Sequence, residues 1–158
     1  MRRKKRLNRP LRLDPIHRSA VVAKFVNYVM KKGKRSLAQK IVWQALDFVK
    51  QQGKMEDPPA VLEQAITNAS PLMEVKARRI GGATYQVPQE VRPERRFFLA
   101  ANWIIEAARA RKGKPMSEKL AEEILSAQKN EGEAIRKRQS LHKVAEANRA
   151  FAHFGWRR

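Results

Sequence analysis

The chain has 158 residues, with 35 lysines and arginines against 15 aspartates and glutamates, for a formal net charge of +20. That length suits one domain, and 42% hydrophobic residues are enough for a core, which excludes a wholly disordered chain. With no cysteine, disulfides, thiolate zinc sites and cysteine nucleophiles are excluded, and no apolar run nears the ~20 residues of a membrane span.

The charge imbalance opposes a compact fold through self-repulsion, and its natural counterpart is a polyanion. Nucleic acid comes first and an anionic membrane surface second. The excess begins at the N-terminus, where residues 1–13 hold Arg2, Arg3, Lys4, Lys5, Arg6, Arg9 and Arg12 and no acid precedes Asp14. No apolar stretch follows these cations, so the tail is not a secretory signal, and it lacks the serines of an organelle transit peptide. It reads as a binding arm.

Asp14-Pro15 predicts a helix start, a capping residue followed by proline at the first position. Val21, Val22, Phe25, Val26 and Val29 then recur at helical spacing until Gly33. Ser36 with Gln39 forms a capping box for a second helix through Leu37, Ile41, Ala45, Phe48 and Val49, ending at Gly53. Asp57-Pro58 opens a third, with Val61, Leu62, Ala65, Ile66 and Ala69 on one face and Pro71 as its stop.

The period then changes. Met73, Val75 and Ala77 alternate with Glu74, Lys76 and Arg78, Gly81-Gly82 tolerates a tight turn, and Thr84, Tyr85 and Val87 favour a strand. These residues predict a β-hairpin. A two-residue loop would set Ala77 against Gln86 and Val75 against Pro88. An odd-length loop including Ala83 sets Ala77 against Val87, Arg79 against Tyr85 and Met73 against Val91. The odd loop gathers apolar residues on one face and leaves Lys76, Arg78 and Gln86 on the other, so that register is expected. Pro88 suits an exposed two-stranded arm, because it cannot donate a ladder hydrogen bond.

Pro93 starts a fourth helix with the stripe Phe97, Phe98, Ala101, Ile104, Ile105 and Ala108, closed by Lys112-Gly113. Ser117 is expected to cap a fifth, with Leu120, Ala121, Ile124 and Leu125 inward. Gly132 precedes a sixth, apolar along Ile135, Leu141, Val144 and Ala145 and polar along Arg136, Lys137, Arg138 and Lys143. The chain ends FAHFGWRR. The fold class expected is mainly α: a single domain of about six helices with a protruding two-stranded β-hairpin arm between the third and fourth. Its parts are a basic tail (1–13), a helical domain (14–150) carrying the arm (72–91), and an aromatic and basic C-terminal tail (151–158).

Nothing here names an enzyme. Gly81-Gly82 is a turn and not a phosphate-binding fingerprint. His17, His142 and His153 lie far apart without metal-ligand spacing, and His142 reads as structural or RNA-contacting. Asp14, Asp47 and Asp57 read as cap and surface residues. No catalytic residue, metal ligand or cofactor is expected. Trp43 and Trp103 sit at helical spacing and belong to the core, while Trp156 is left open.

The cations carry the signal instead, since lysine and arginine neutralise phosphates and arginine also forks onto phosphate and stacks on bases. Arg109, Arg111 and Lys112 stand at a helix C-terminus, where they serve the helix dipole as well as they would serve RNA. The arm makes the stronger case. A lone hairpin is marginal in water, and Arg78, Arg79 and Tyr85 beside a glycine tip suit a ligand that accepts both charge and stacking, as unpaired RNA does.

The stretch MEVKARRIGGATYQVPQEVRPERR resembles the β-arm region of the bacterial-type small-subunit ribosomal protein seven family. DPIHRSAVVAKFVNYVMKKGKRSLAQKIVWQAL resembles that family's first two helices, LAANWIIEAAR its fourth, and HKVAEANRAFAHFGW its C-terminal helix and tail. The resemblance implies a helical core with a protruding hairpin and a structural, non-enzymatic role in the small ribosomal subunit. It implies binding to the 3′ major domain of the ribosomal RNA, nucleation of head assembly, and a place near the tRNA exit site and the messenger RNA exit path. Small-subunit ribosomal proteins nine and eleven are the implied neighbours, with the chain a monomer within the ribosome.

By the same resemblance the RNA-contacting positions are Arg2, Arg3, Lys4, Lys5 and Arg6, then Lys31, Lys32, Lys34 and Arg35. Lys76, Arg78 and Arg79 follow in the arm, with Arg92, Arg95 and Arg96 at its base; Arg109, Arg111 and Lys112 join the candidate RNA contacts on their charge alone. Arg79, Gly81, Gly82, Tyr85 and Trp156 would face tRNA and messenger RNA. The compartment implied is the bacterial cytoplasm or an organelle interior such as the plastid stroma. The rival class is an architectural DNA-binding protein, whose β-arm would use Pro88 as a wedge and which usually needs a dimer. A protein–protein adaptor on an anionic surface is a third.

Overall fold

A computed structural model describes residues 12–53 and 56–155. Six α-helices and one hairpin follow in the order α1 (Ala20–Val29), α2 (Arg35–Gly53), α3 (Pro58–Ala69), β1 (Met73–Ile80), β2 (Ala83–Glu90), α4 (Pro93–Ala110), α5 (Met116–Gln128) and α6 (Glu133–Ala147), and a 3-10 helix (Arg149–Gly155) ends the described chain. The expected class, mainly helical with a hairpin between the third and fourth helices, is what folds.

Several helix starts differ from expectation. Asp14 caps a separate turn, accepting the Ile16 N–H at 3.3 Å and the His17 N–H at 3.0 Å. Arg18 then takes a left-handed φ of 48°, which a continuing helix cannot contain. The helix therefore restarts, with the Ser19 hydroxyl accepting the Val22 N–H at 3.4 Å. Asp14 is buried, and the indole Nε1 of half-buried Trp43 donates to its carboxylate at 3.0 Å. In α2, Ser36 lies inside the first turn and Lys34 supplies the first carbonyl, to the Ala38 N–H at 3.2 Å. Ser117 likewise lies inside α5, one residue past its first, with Pro115 at the cap position.

The core is one cluster drawn from α1 to α6, in which Phe25, Leu46, Leu62, Ile104, Ile105, Leu120, Ile124 and Ile135 are fully buried. Each such side chain contributes about 1.5–3 kcal/mol by leaving water. α5 is its axis, packing on α2, α3, α4 and α6. Trp103 packs against this cluster half-buried. Three residues expected in the apolar stripes reach solvent instead, with Leu37 53% exposed, Phe98 40% and Val144 48%.

The hairpin corrects the predicted register. Gly81 and Gly82 alone form the loop, with φ of 56° and 91°, and Ala77 pairs with Gln86, Val75 with Pro88 and Arg78 with Tyr85. Two successive positive φ values mark the primed two-residue turn whose twist matches the strands. An odd loop is required only of a hairpin that must gather its own apolar face. This one need not, because the apolar cover comes from elsewhere. The 3-10 helix lies on β2, with Tyr85 against Phe151 at a ring separation of 5.2 Å and against Phe154 at 5.5 Å.

Candidate nucleic-acid interface

Two exposed features concentrate cations. The first is the α1–α2 loop, where Lys31, Lys32, Lys34 and Arg35 are all exposed. Lys32 and Gly33 hold left-handed φ of 52° and 72°, and the Lys34 N–H donates to the Lys31 carbonyl at 3.1 Å, which fixes the loop's shape. The loop leads into the N-terminus of α2, whose first turn carries no acid. Its partial positive charge adds to that of the side chains. Arg109, near the end of α4, borders the same cleft as Lys31, Lys32 and Lys34.

The second is the arm. Arg78, Arg79, Gly81 and Gly82 are exposed towards its tip, and Tyr85 is half-buried under the aromatic 3-10 helix. Arg78 Nη1 donates to the Phe154 carbonyl at 2.6 Å, which ties the C-terminal segment to β1. A cleft of about 640 Å³ lies between Arg78, Arg79, Ile80 and the His153–Phe154 pair.

At the arm's base Lys76, Arg95 and Arg96 are neutralised internally. The buried Glu74 carboxylate accepts from Arg95 Nε at 2.6 Å and pairs with Lys76 Nζ at 3.3 Å. Burial alone would raise this carboxyl, but the hydrogen bonds and charges of Arg95 and Lys76 outweigh it and hold it below the ordinary carboxylate range. Arg96 reaches Glu90 at 2.9 Å and the Val91 carbonyl at 2.8 Å, which sets the angle between β2 and α4.

A family model described as "Ribosomal protein S7p/S5e" matches residues 1–149. The chain is 53% identical to the small ribosomal subunit protein uS7 of Thermotoga neapolitana, over 99% of this chain and 100% of that protein. It is 52% identical to the uS7 of Francisella tularensis over 98% and 99%, and 54% identical to that of Dictyoglomus turgidum over 90% and 91%. This chain belongs to the ribosomal protein S7p/S5e family. The family is one of ribosomal proteins and not of enzymes.

In this S7p/S5e member the predicted RNA-contacting residues divide by what they touch. Lys31, Lys32, Lys34, Arg35, Arg79, Arg92, Arg109 and Lys112 are exposed and form no ion pair among the described residues. Lys76, Arg95 and Arg96 serve the arm's base, and Arg111 serves the helical core through Glu122 and Glu123. The hydrogen bond that Arg111 donates to Glu123 raises its guanidinium above the ordinary value, against the opposing effect of burial. Arg2, Arg3, Lys4, Lys5, Arg6 and Trp156 lie outside the described residues.

Four further residues, Arg138, His142, Phe151 and Phe154, carried little signal in the sequence. Arg138 donates to the Asn68 carbonyl and so joins α6 to α3, although its spacing placed it on a polar face. His142 Nε2 accepts the Leu72 N–H at 3.0 Å, where α6 meets the start of the arm. Phe151 and Phe154, three apart in the tail, form the cover over Tyr85; an aromatic pair at that spacing beside a half-polar hairpin was the available signal.

Proposed function

We propose that this protein is a structural component of the small ribosomal subunit that binds the 3′ major domain of its ribosomal RNA and nucleates assembly of the head. The observation that carries the reading is the separation of its charges. Six glutamates pair with Lys76, Arg95, Arg96, Arg111, Lys114, Arg136 and Lys137, while the loop and outer-arm cations at Lys31, Lys32, Lys34, Arg35 and Arg79 have no acid partner among the described residues. Such cations suit phosphates, and their fixed spacing lets one protein hold several RNA segments and lower the cost of folding that RNA. Chain-long likeness to bacterial uS7 proteins supports the same reading.

The arm has a second part in this proposal. Its tip, Arg79 to Tyr85, reaches the tRNA exit site and the messenger RNA exit path; the protein's neighbours are ribosomal proteins nine and eleven, with protein eleven meeting it near the exit channel. The protein acts as a monomer within the ribosome, in the bacterial cytoplasm. Among the described residues no helix is long and apolar enough to cross a membrane.

A competition assay at physiological salt tests the RNA-binding half. Labelled 3′ major domain RNA is challenged with equal masses of duplex DNA and of unrelated structured RNA. Strong preference for the ribosomal fragment is expected. Equal competition by DNA would return the chain to the architectural class. Deleting residues 78–85 tests the other half. Subunit assembly should persist while retention of exit-site tRNA changes; lost assembly with normal tRNA retention would reverse the assignment.

A further inference from the structure

The cleft between the α1–α2 loop and the ends of α4 and α5 has a volume of about 390 Å³. Its rim is cationic, formed by Lys31, Lys32, Lys34 and Arg109. Its walls are apolar: Leu37 and Ile41 on α2 and Met116 at the start of α5. Leu37 is 53% exposed and lines the cleft together with these cations, so its apolar surface is open to a ligand there. Resting on the RNA-binding reading above, we propose that this cleft is a pocket for a single unpaired nucleotide, its base lying against Leu37, Ile41 and Met116 and its flanking phosphates held by the rim.

Size, shape and chemistry all favour this occupant. The cleft falls in the ~300–1,000 Å³ range of small-ligand sites, so it admits a base and excludes a helix. A duplex would present phosphates to the rim and leave the apolar wall wet, since its bases are stacked inside. An acidic peptide would answer the charges but offers no planar apolar face. The left-handed pair Lys32 and Gly33 fixes the loop before any ligand arrives, so little ordering entropy is lost on binding.

The test uses the full chain and two probes of equal phosphate number, a single-stranded oligoadenylate and an RNA duplex. Leu37→Ser is expected to weaken single-strand binding about tenfold, the effect of losing one base's contact, and to leave duplex affinity and both salt dependences unchanged. Lys31→Ala with Lys34→Ala is expected to weaken both probes and to lower the salt slope by about two. Oligonucleotides carrying 4-thiouridine should cross-link to peptides containing Leu37 or Met116. Equal loss for both probes with Leu37→Ser, no loss for either, or cross-links confined to the arm would each overturn the pocket while leaving RNA binding intact. Failure of the wild-type chain to bind ribosomal RNA would overturn the parent reading, and the pocket with it.

Discussion

Arg111, just past α4, donates from Nη2 to Glu123 Oε2 at 2.6 Å, and Glu123 is 1% exposed in the middle of α5. The other oxygen of Glu123 accepts the Ala134 N–H at 3.2 Å, at the first turn of α6. One buried carboxylate thus joins three helices. A cation that charge counting assigns to RNA is here part of the fold. Removing one partner of such a pair leaves the other buried without compensation.

Arg111→Met should therefore lower stability by about 3 kcal/mol in denaturant unfolding. RNA affinity per folded molecule, and its salt slope, should stay as in the wild type. A slope reduced by one with unchanged stability would instead make Arg111 a phosphate contact.

The same carboxylate constrains Gly132. Its φ is 94°, and a Cβ placed there would stand 2.8 Å from Glu123 Oε1 and 3.2 Å from Ser126 Cβ. Gly33 also has a positive φ, at 72°, but a Cβ there meets nothing within 4 Å. Gly33→Ala should cost about 1 kcal/mol, for backbone strain alone. Gly132→Ala adds the displacement of a buried, bonded carboxylate and should cost about 3 kcal/mol. Equal losses in unfolding experiments would mean that Glu123 yields freely.

The helices were legible in the sequence because each carries its own apolar stripe at 3.6-residue spacing. Pro58, Pro93 and Gly53 stand where helices begin or end. The change to alternating period at Met73 and the Gly81-Gly82 pair were enough to place the hairpin between α3 and α4. Its register was not, since Tyr85 and Val87 are covered by residues some seventy positions later. Local signals at the helix starts also misled. Asp14 and Ser36 have capping chemistry, but the left-handed φ of Arg18 and a start at Arg35 put them elsewhere. At the candidate interface, composition identified the cations and could not sort them. Arg109 and Arg111 are two residues apart, yet one borders a cleft and the other holds a buried acid, because successive helix-end residues point in different directions.

The aromatic cover gives the arm its order. Tyr85, Phe151 and Phe154 pack together, and Arg78 closes the contact at the Phe154 carbonyl. A hairpin alone is marginal. Phe154→Ala should thus speed amide hydrogen exchange in the outer halves of β1 and β2 and leave the protection of α5 unchanged. Uniform loss of protection through both regions would show that arm and core unfold as one unit.

His142 sets the pH behaviour of the junction between α6 and the arm. Burial, helped by the nearby charge of Arg138, lowers its imidazole below the ordinary 6.5. The neutral ring then accepts the Leu72 N–H, which an imidazolium could not do. Below pH 6.5 the unfolded chain takes up a proton at this residue before the folded one does, so acid favours unfolding. The stabilisation is fully present above 6.5 and is lost as pH falls through the lower, folded-state value. Glu74 acts in the same direction but begins only near its ordinary 4.5, so the two windows are separable. Stability measured by denaturant unfolding should fall between pH 6.5 and the carboxylate range in the wild type. In His142→Gln, which can still accept the Leu72 N–H through its side-chain oxygen, that fall should largely vanish while the later loss from Glu74 remains. An unchanged fall in the variant would move the titrating group away from His142 and leave its bond to Leu72 as packing alone.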